Sequence, residues 1–266
     1  MPNAWKSQQL PDNPSYISPS GVTEIRTLPS FVEGEIVHAR LPGGHPSTAA
    51  RLNGCGEIFY ILGGEGELWR RTGPVEAVTQ LRPGRCVTLP PGIDFQYRAT
   101  SERMDFLVAT APRWQRSNWA EAERRYWQED GTVGTPPQSA VGPWLTVDLP
   151  ERYDYLAPDG SEIRLLTTYD GGGLAHCRLP AGHVSAAVRH RTVVEIWYVT
   201  DGRGEIWRSD GTNHEIISVM AGTSITIPVG TLFQFRTEGN SPLEIVIGTF
   251  PRWPGASEAE PVTGHW

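Results

Sequence analysis

Short runs of branched and aromatic residues, bounded by glycine and proline, set the pattern of this chain. Residues 35–41, 57–62 and 86–89 each read as a strand, and counterparts recur beyond residue 170. Many short strands at even spacing predict an all-β sandwich or barrel. The turns agree, because Gly63-Gly64-Glu65-Gly66 and Asp201-Gly202-Arg203-Gly204 offer the positive φ angles that a tight hairpin requires. One stretch reads differently. Asn118-Trp119-Ala120-Glu121 fits a capping box, and Trp119, Tyr126 and Trp127 fall on one helical face, which predicts a helix over 118–128. Asp130-Gly131 and Gly134-Thr135-Pro136-Pro137-Gln138-Ser139 then read as linker, and the residues from Pro254 to Trp266 as a tail packed on the surface.

The pattern occurs twice. His38-Ala39-Arg40-Leu41-Pro42 returns as His176-Cys177-Arg178-Leu179-Pro180, and Glu57-Ile58-Phe59-Tyr60 as Glu195-Ile196-Trp197-Tyr198. Glu67-Leu68-Trp69-Arg70 returns as Glu205-Ile206-Trp207-Arg208, and Phe95-Gln96-Tyr97-Arg98 as Phe233-Gln234-Phe235-Arg236. Both halves end on Pro-Arg-Trp, at Pro112-Arg113-Trp114 and Pro251-Arg252-Trp253. The chain is therefore a tandem duplication, with a first domain over 1–114, helix and linker over 115–150, a second domain over 151–253 and a tail over 254–266. Differences between the copies show where two once-equal pockets have diverged.

With 266 residues, the chain can bury a core in each half. A net charge of −7, with basic residues scattered among acidic ones, advertises no polyanion-binding face, so nucleic acid is not an expected partner. No apolar run is long enough to cross a bilayer and the first residues lack the basic and apolar regions of a signal peptide, so a cytoplasmic protein without a membrane partner is expected. Cys55, Cys86 and Cys177 have no metal-like spacing and read as small apolar residues in strands. Lysine occurs once, at Lys6, which sets Schiff-base chemistry aside unless the N-terminal segment folds into a pocket.

In the second half, Gly182, Val188, His190, Glu195 and Gly202, followed by Gly222, Pro228, Gly230 and Phe233, keep the spacing of two motifs. The first half places Gly44, Ala50, Leu52, Glu57 and Gly64, then Gly84, Pro90, Gly92 and Phe95, at the same positions. This arrangement resembles the cupin superfamily across both halves, and the chain looks like a two-domain cupin, or bicupin. The resemblance implies tandem jelly-roll barrels. It also implies, in a typical member, a metal held by three His and one Glu. Here the first half keeps only Glu57 of that set. The second keeps His190 and Glu195 but has Val188 and Phe233 at the other two places, too few ligands for a tightly held ion, so no metal and no other cofactor is expected. Rescue would need His176 or His183 to turn inward.

Alternation along the strands puts Glu195 and Trp197 on one face and Ile196 and Tyr198 on the other. Val188 and His190 should share the inward face, with Phe233 and Phe235 closing the wall. An aromatic pocket holding one imidazole and one carboxylate suits proton transfer on a small organic molecule. A pair left inert after loss of a metal is the competing reading. The His-x-Arg words allow two placements: facing solvent or the other sheet, as structure, or facing the barrel, where His176 and Arg178 could help bind an anionic group. Glu57 is either bonded to a neighbour such as Arg40 or Tyr97, or faces a wetter cavity. Arg98 and Arg236 should bridge to Glu67 and Glu205, and Trp69 and Trp207 read as packing.

These residues point to a metal-independent enzyme of the isomerase, lyase or cyclase kind acting on a small, partly apolar, oxygenated metabolite. His190 and Glu195 would be catalytic, and Val188, Trp197, Phe233, Phe235, Arg178, His176 and Glu57 candidates for substrate contact. A metal-dependent dioxygenase or decarboxylase with atypical ligands, or a binding protein without turnover, are the alternatives, and the expected assembly is a monomer or a homodimer.

Overall fold

The computed structural model describes residues 5–128, 142–169 and 171–266. Its described residues form two compact units: Pro11–Leu28 with Gly34–Asp148, and residues 5–10 and Pro29–Glu33 with Leu149–Trp266. Each unit holds one seven-stranded and one five-stranded antiparallel sheet, so the all-β expectation and the two cupin-like barrels are what the chain forms.

In the C-terminal unit the large sheet runs Ser7–Gln9, Thr223–Ile227, Val194–Asp201, Leu243–Phe250, Gly172–Leu179, Glu162–Tyr169, Tyr155–Leu156. The small sheet runs His214–Met220, Arg203–Ser209, Leu232–Thr237, Val188–His190, Ala259–Pro261. Period-two alternation sends Trp197 and Val199 from one sheet and Phe233 and Phe235 from the other into a shared core. Burying such side chains stabilises the unit by roughly 1.5–3 kcal/mol each. The hairpin glycines behave as the sequence predicts: Gly202 has φ +80°, and a Cβ there would lie 2.0 Å from the carbonyl oxygen of Pro242.

The N-terminal unit repeats the plan and takes Thr146–Asp148 as the edge strand beside Arg85–Leu89, where the C-terminal unit takes Ser7–Gln9 beside Thr223–Ile227. A buried arginine fastens each edge. Arg70 donates to the Leu145 carbonyl at 3.1 Å and the Thr146 hydroxyl at 2.9 Å, and Arg208 donates to the Lys6 carbonyl at 3.2 Å while pairing with Glu215. Burial lowers the Arg70 pKa to about 9, and the carbonyl and hydroxyl acceptors around it make up for lost water.

The expected helix over 118–128 does not form. Residues Arg116–Asn118 make one 3-10 turn, and Trp119–Glu121 is a strand paired with Ala50–Leu52. Pairing satisfies the backbone there by joining the small sheet, and Tyr126 and Trp127 are buried beside Trp69 instead of lying on a helix face. Most of the expected linker, residues 129–141, lies outside the described residues. The C-terminal stretch is likewise more than a surface tail: Ala256–Glu258 is a 3-10 turn and Ala259–Pro261 pairs with Val188–His190. Corresponding glutamines secure the segments that follow, Gln96 accepting from the backbone N–H groups of Tyr126 and Trp127, and Gln234 from those of His265 and Trp266. Among the described residues no helix is long and apolar enough to cross a membrane.

Candidate active site

The C-terminal barrel encloses a cavity of about 310 Å³. Strand Val188–His190 supplies Val188 and His190, strand Val194–Asp201 supplies Glu195 and Trp197, and strand Leu232–Thr237 supplies Phe233 and Phe235, so the alternation argument holds for all six. His190 stands nearly edge-on to Phe233 and Trp253, with ring centroids 5.0 and 5.2 Å away. Its Nδ1 is buried without a hydrogen-bond partner and lies 3.8 Å from Glu195 Oε2. Glu195 is held from two sides: Trp197 Nε1 donates to Oε2 at 2.8 Å, and the Thr249 hydroxyl donates to Oε1 at 3.2 Å. Register explains the second contact, because Glu195 and Thr249 are direct neighbours on paired strands.

Two of the candidate substrate contacts lie elsewhere. Strand Gly172–Leu179 lines the cavity with Gly173, Leu174, Ala175 and Cys177 and not with His176 or Arg178, which are engaged away from it. His176 lies 3.5 Å from Glu244, and Arg178 pairs with Glu162 at 3.1 Å and Glu244 at 3.5 Å. The N-terminal copies do the same work, His38 and Arg40 both meeting Asp105. Burial pushes the His38 imidazole down to about 4, against the pull of Asp105. Arg98 and Arg236 reach Glu67 and Glu205 as expected, each with Nε at 2.8 Å from the carboxylate.

Glu57 lines a separate cavity of about 70 Å³ in the N-terminal barrel. Arg40 and Tyr97 are occupied elsewhere, Arg40 with Asp105 and the Tyr97 hydroxyl with Thr23 at 2.8 Å, so the carboxyl faces the cavity instead. Burial, and after it the Glu35 carboxylate, raise its pKa to about 8. Glu35 and Glu57 flank Thr110 in register on adjoining strands, and burial raises Glu35 as well.

Three residues that the sequence did not single out complete the larger site. Asp159 lines the cavity from a turn, its Oδ1 accepting the Ser161 N–H at 2.9 Å and hydroxyl at 2.7 Å. Burial raises its pKa against those bonds and the nearby His190 charge. Tyr155 lines the same wall, and burial raises its hydroxyl too, with Glu195 adding to the effect. Glu258 is buried and holds the turn after His190, accepting from the Thr192 hydroxyl at 2.8 Å and the Val193 N–H at 2.9 Å. Desolvation opposes ionisation of Glu258, yet the donors from Thr192 and Val193 together lower its pKa. Its counterpart Asn118 closes the equivalent turn by exchanging bonds with Asn53, the signal that comparing copies offers.

The donor set does not fit the metal centre typical of the fold. Val188 and Phe233 are apolar, and among the described residues no group of three or more His, Cys, Asp or Glu side chains is placed to hold an ion.

Comparison with known proteins agrees with this architecture. Residues 175–248 match the cupin domain family. An uncharacterized protein of Methanocaldococcus jannaschii is 33% identical over 102 residues, which is 36% of this chain and 78% of that protein. The structure of oxalate decarboxylase from Bacillus subtilis determined at pH 4.6 superposes with a TM-score of 0.72 at 13% identity, covering 96% of this chain and 78% of that one. A deletion variant of the same enzyme gives a TM-score of 0.70, again at 13% identity, with 96% and 79% covered. That enzyme carries Mn(II) centres, and likeness at such low identity speaks for the fold alone. The matched family, the relative and the two-barrel architecture together establish that the chain belongs to the cupin superfamily.

Proposed function

We propose that the protein is a metal-independent enzyme of the isomerase, lyase or cyclase kind, acting on a small, partly apolar, oxygenated metabolite in the C-terminal cavity. The observation that carries this reading is the unpartnered His190 Nδ1, buried at 3.8 Å from Glu195 beside a cavity of about 310 Å³. A buried polar atom without a partner costs about 1–3 kcal/mol, which a bound substrate offering a hydrogen bond would recover. His190 then takes or gives the proton at the reacting centre, and Glu195, kept in place by Trp197 and Thr249, carries the second proton. Val188, Trp197, Phe233 and Phe235 shape the apolar wall and keep water away from the exchange.

The test is solvent-deuterium incorporation, read by NMR, across a panel of small oxygenated metabolites. Incorporation by the wild type should vanish in a His190→Ala, Glu195→Gln double variant. Undiminished incorporation in that variant would sink the acid–base assignment. Stoichiometric Fe or Mn in protein purified without added metal, lost on His190→Ala, would overturn the metal-free part.

A further inference from the structure

Charge in the C-terminal cavity is one-sided. Asp159 and Glu195 line it, His190 is its basic side chain, and among the described residues no Arg or Lys lines its wall. The nearby arginines are committed to the other side of their strands: Arg178 pairs with Glu162 and Glu244, and Arg164 with Glu162 and the Pro150 carbonyl. Much of the remaining wall is aromatic, with Tyr155, Trp197, Phe233, Phe235 and Trp253. Asp159 Oδ1 accepts both bonds from Ser161, and the carboxyl group lines the cavity.

The other copy shows that this carboxylate is not part of the scaffold. The carbonyls of Ser20 and Asp159 accept equivalent backbone bonds, from Thr48 and Ala186, so Ser20 stands where Asp159 does. Its hydroxyl joins Thr23 and Tyr97 in a closed network, and Tyr97 in turn takes the place of Phe235. The half with the larger cavity holds a carboxyl group where the other holds that hydroxyl network.

We propose that the C-terminal cavity takes a small organic ammonium ion, an amine bearing a ring or a branched apolar group, in preference to a carboxylate or phosphate. The proposal rests on the reading of this cavity as the active site and specifies its substrate class. A carboxylate ligand would meet two carboxyl groups with one imidazole, His190, and no Arg or Lys to offset them, and such juxtapositions are strongly unfavourable where water is excluded. An ammonium group finds the reverse: charge-assisted hydrogen bonds to Asp159 and Glu195, and aromatic rings whose faces attract cations. At about 310 Å³ the space lies at the lower end of small-molecule sites, room for a single ring and its substituent.

Benzylammonium, benzyl alcohol and benzoate share a shape and differ in charge, so calorimetric titration of the full chain with each at neutral pH tests the idea. Benzylammonium should bind tightest and benzoate weakest, by about tenfold or more between the extremes, which corresponds to about 1.4 kcal/mol. Asp159→Asn and Glu195→Gln should each weaken the amine several-fold and leave benzyl alcohol unchanged. Benzoate binding as tightly as the amine, the amine binding no better than the alcohol, or an amine affinity untouched by both substitutions would overturn the proposal. Benzoate preference together with deuterium incorporation that depends on His190 would remove the ligand class alone. Amine preference with incorporation intact in the double variant would remove the acid–base reading alone.

Discussion

Replacing Glu57 by Gln keeps the shape of the side chain and removes its ionisation. Burial and the Glu35 carboxylate move the Glu57 pKa from 4.5 to about 8, so between those values the folded protein holds a proton that the unfolded chain releases. Stability therefore falls as pH rises through the window, is whole below about 4.5 and levels off above about 8. Each pH unit is worth about 1.4 kcal/mol, giving a ceiling of about 5 kcal/mol. Glu57 borders a cavity that water can enter, and screening at such partly open sites brings the expected figure to about 2 kcal/mol. Tyr16 lines the same cavity and Cys55 feels the Glu57 charge, but both are pushed up to about 12, and Tyr97 is also raised, so none of them titrates in this range. Burial raises Glu35 too, and that contribution is common to both proteins. Scanning calorimetry from pH 5 to pH 8 should show wild type and Glu57→Gln alike at the acid end, with the variant melting several degrees higher at the alkaline end. Parallel melting curves across the whole range would refute the assignment.

Three further outcomes follow from the packing. Glu258→Ala leaves the backbone donor of Val193 without its acceptor and frees the turn behind His190, so calorimetry should show the C-terminal unit weakened by about 2–3 kcal/mol. Arg208→Met removes the donor to the Lys6 carbonyl, and hydrogen exchange in Ser7–Gln9 should speed up by at least tenfold relative to the sheet centre; unchanged protection would mean that strand pairing alone secures the edge. Ala259→Trp copies Trp119 of the first half into the larger cavity, and should abolish benzylammonium binding at a cost of about 1–3 kcal/mol in stability.

Much of the barrel was legible because its signals are local. Strand runs and hairpin glycines act within a few residues, and strand alternation read with the cupin resemblance placed Val188, His190, Glu195, Trp197, Phe233 and Phe235 on one wall. The helix over 118–128 misled because aromatic spacing in a short stretch fits more than one structure. The duplication held the answer: Ser117-Asn118-Trp119-Ala120-Glu121 matches Ser257-Glu258-Ala259-Glu260-Pro261, and the proline does not suit a helix interior. His176 and Arg178 were a question of strand phase, which inward-facing Cys177 settles. Asp159, Tyr155 and Glu258 stayed hidden because loops and returning segments bring them to the cavity or its supporting turn. The exchanged edge strands were illegible for the same reason, since Ser7–Gln9 finds its partner across most of the chain.

The two copies keep their outer faces and differ inside. Glu35 in the first half stands where the second has Gly173, each beside its threonine on the next strand. Leu52 paired with Trp119 stands where the second half has His190 paired with Ala259. Glu35 in place of Gly173 and Trp119 in place of Ala259 put bulk into the first cavity, which is about 70 Å³ against about 310 Å³ for the second. Space left unfilled among side chains forfeits packing contacts, so the larger cavity is the less stabilising of the two arrangements. The first half shows that this fold can close the space with ordinary substitutions. Stability alone therefore favours the filled version, and what the open one keeps in exchange is an imidazole, two carboxylates and an aromatic wall facing the same space. A ligand that binds there restores the missing contacts, so the proposed function rests on the C-terminal cavity and not on the His-x-Arg words that both halves share.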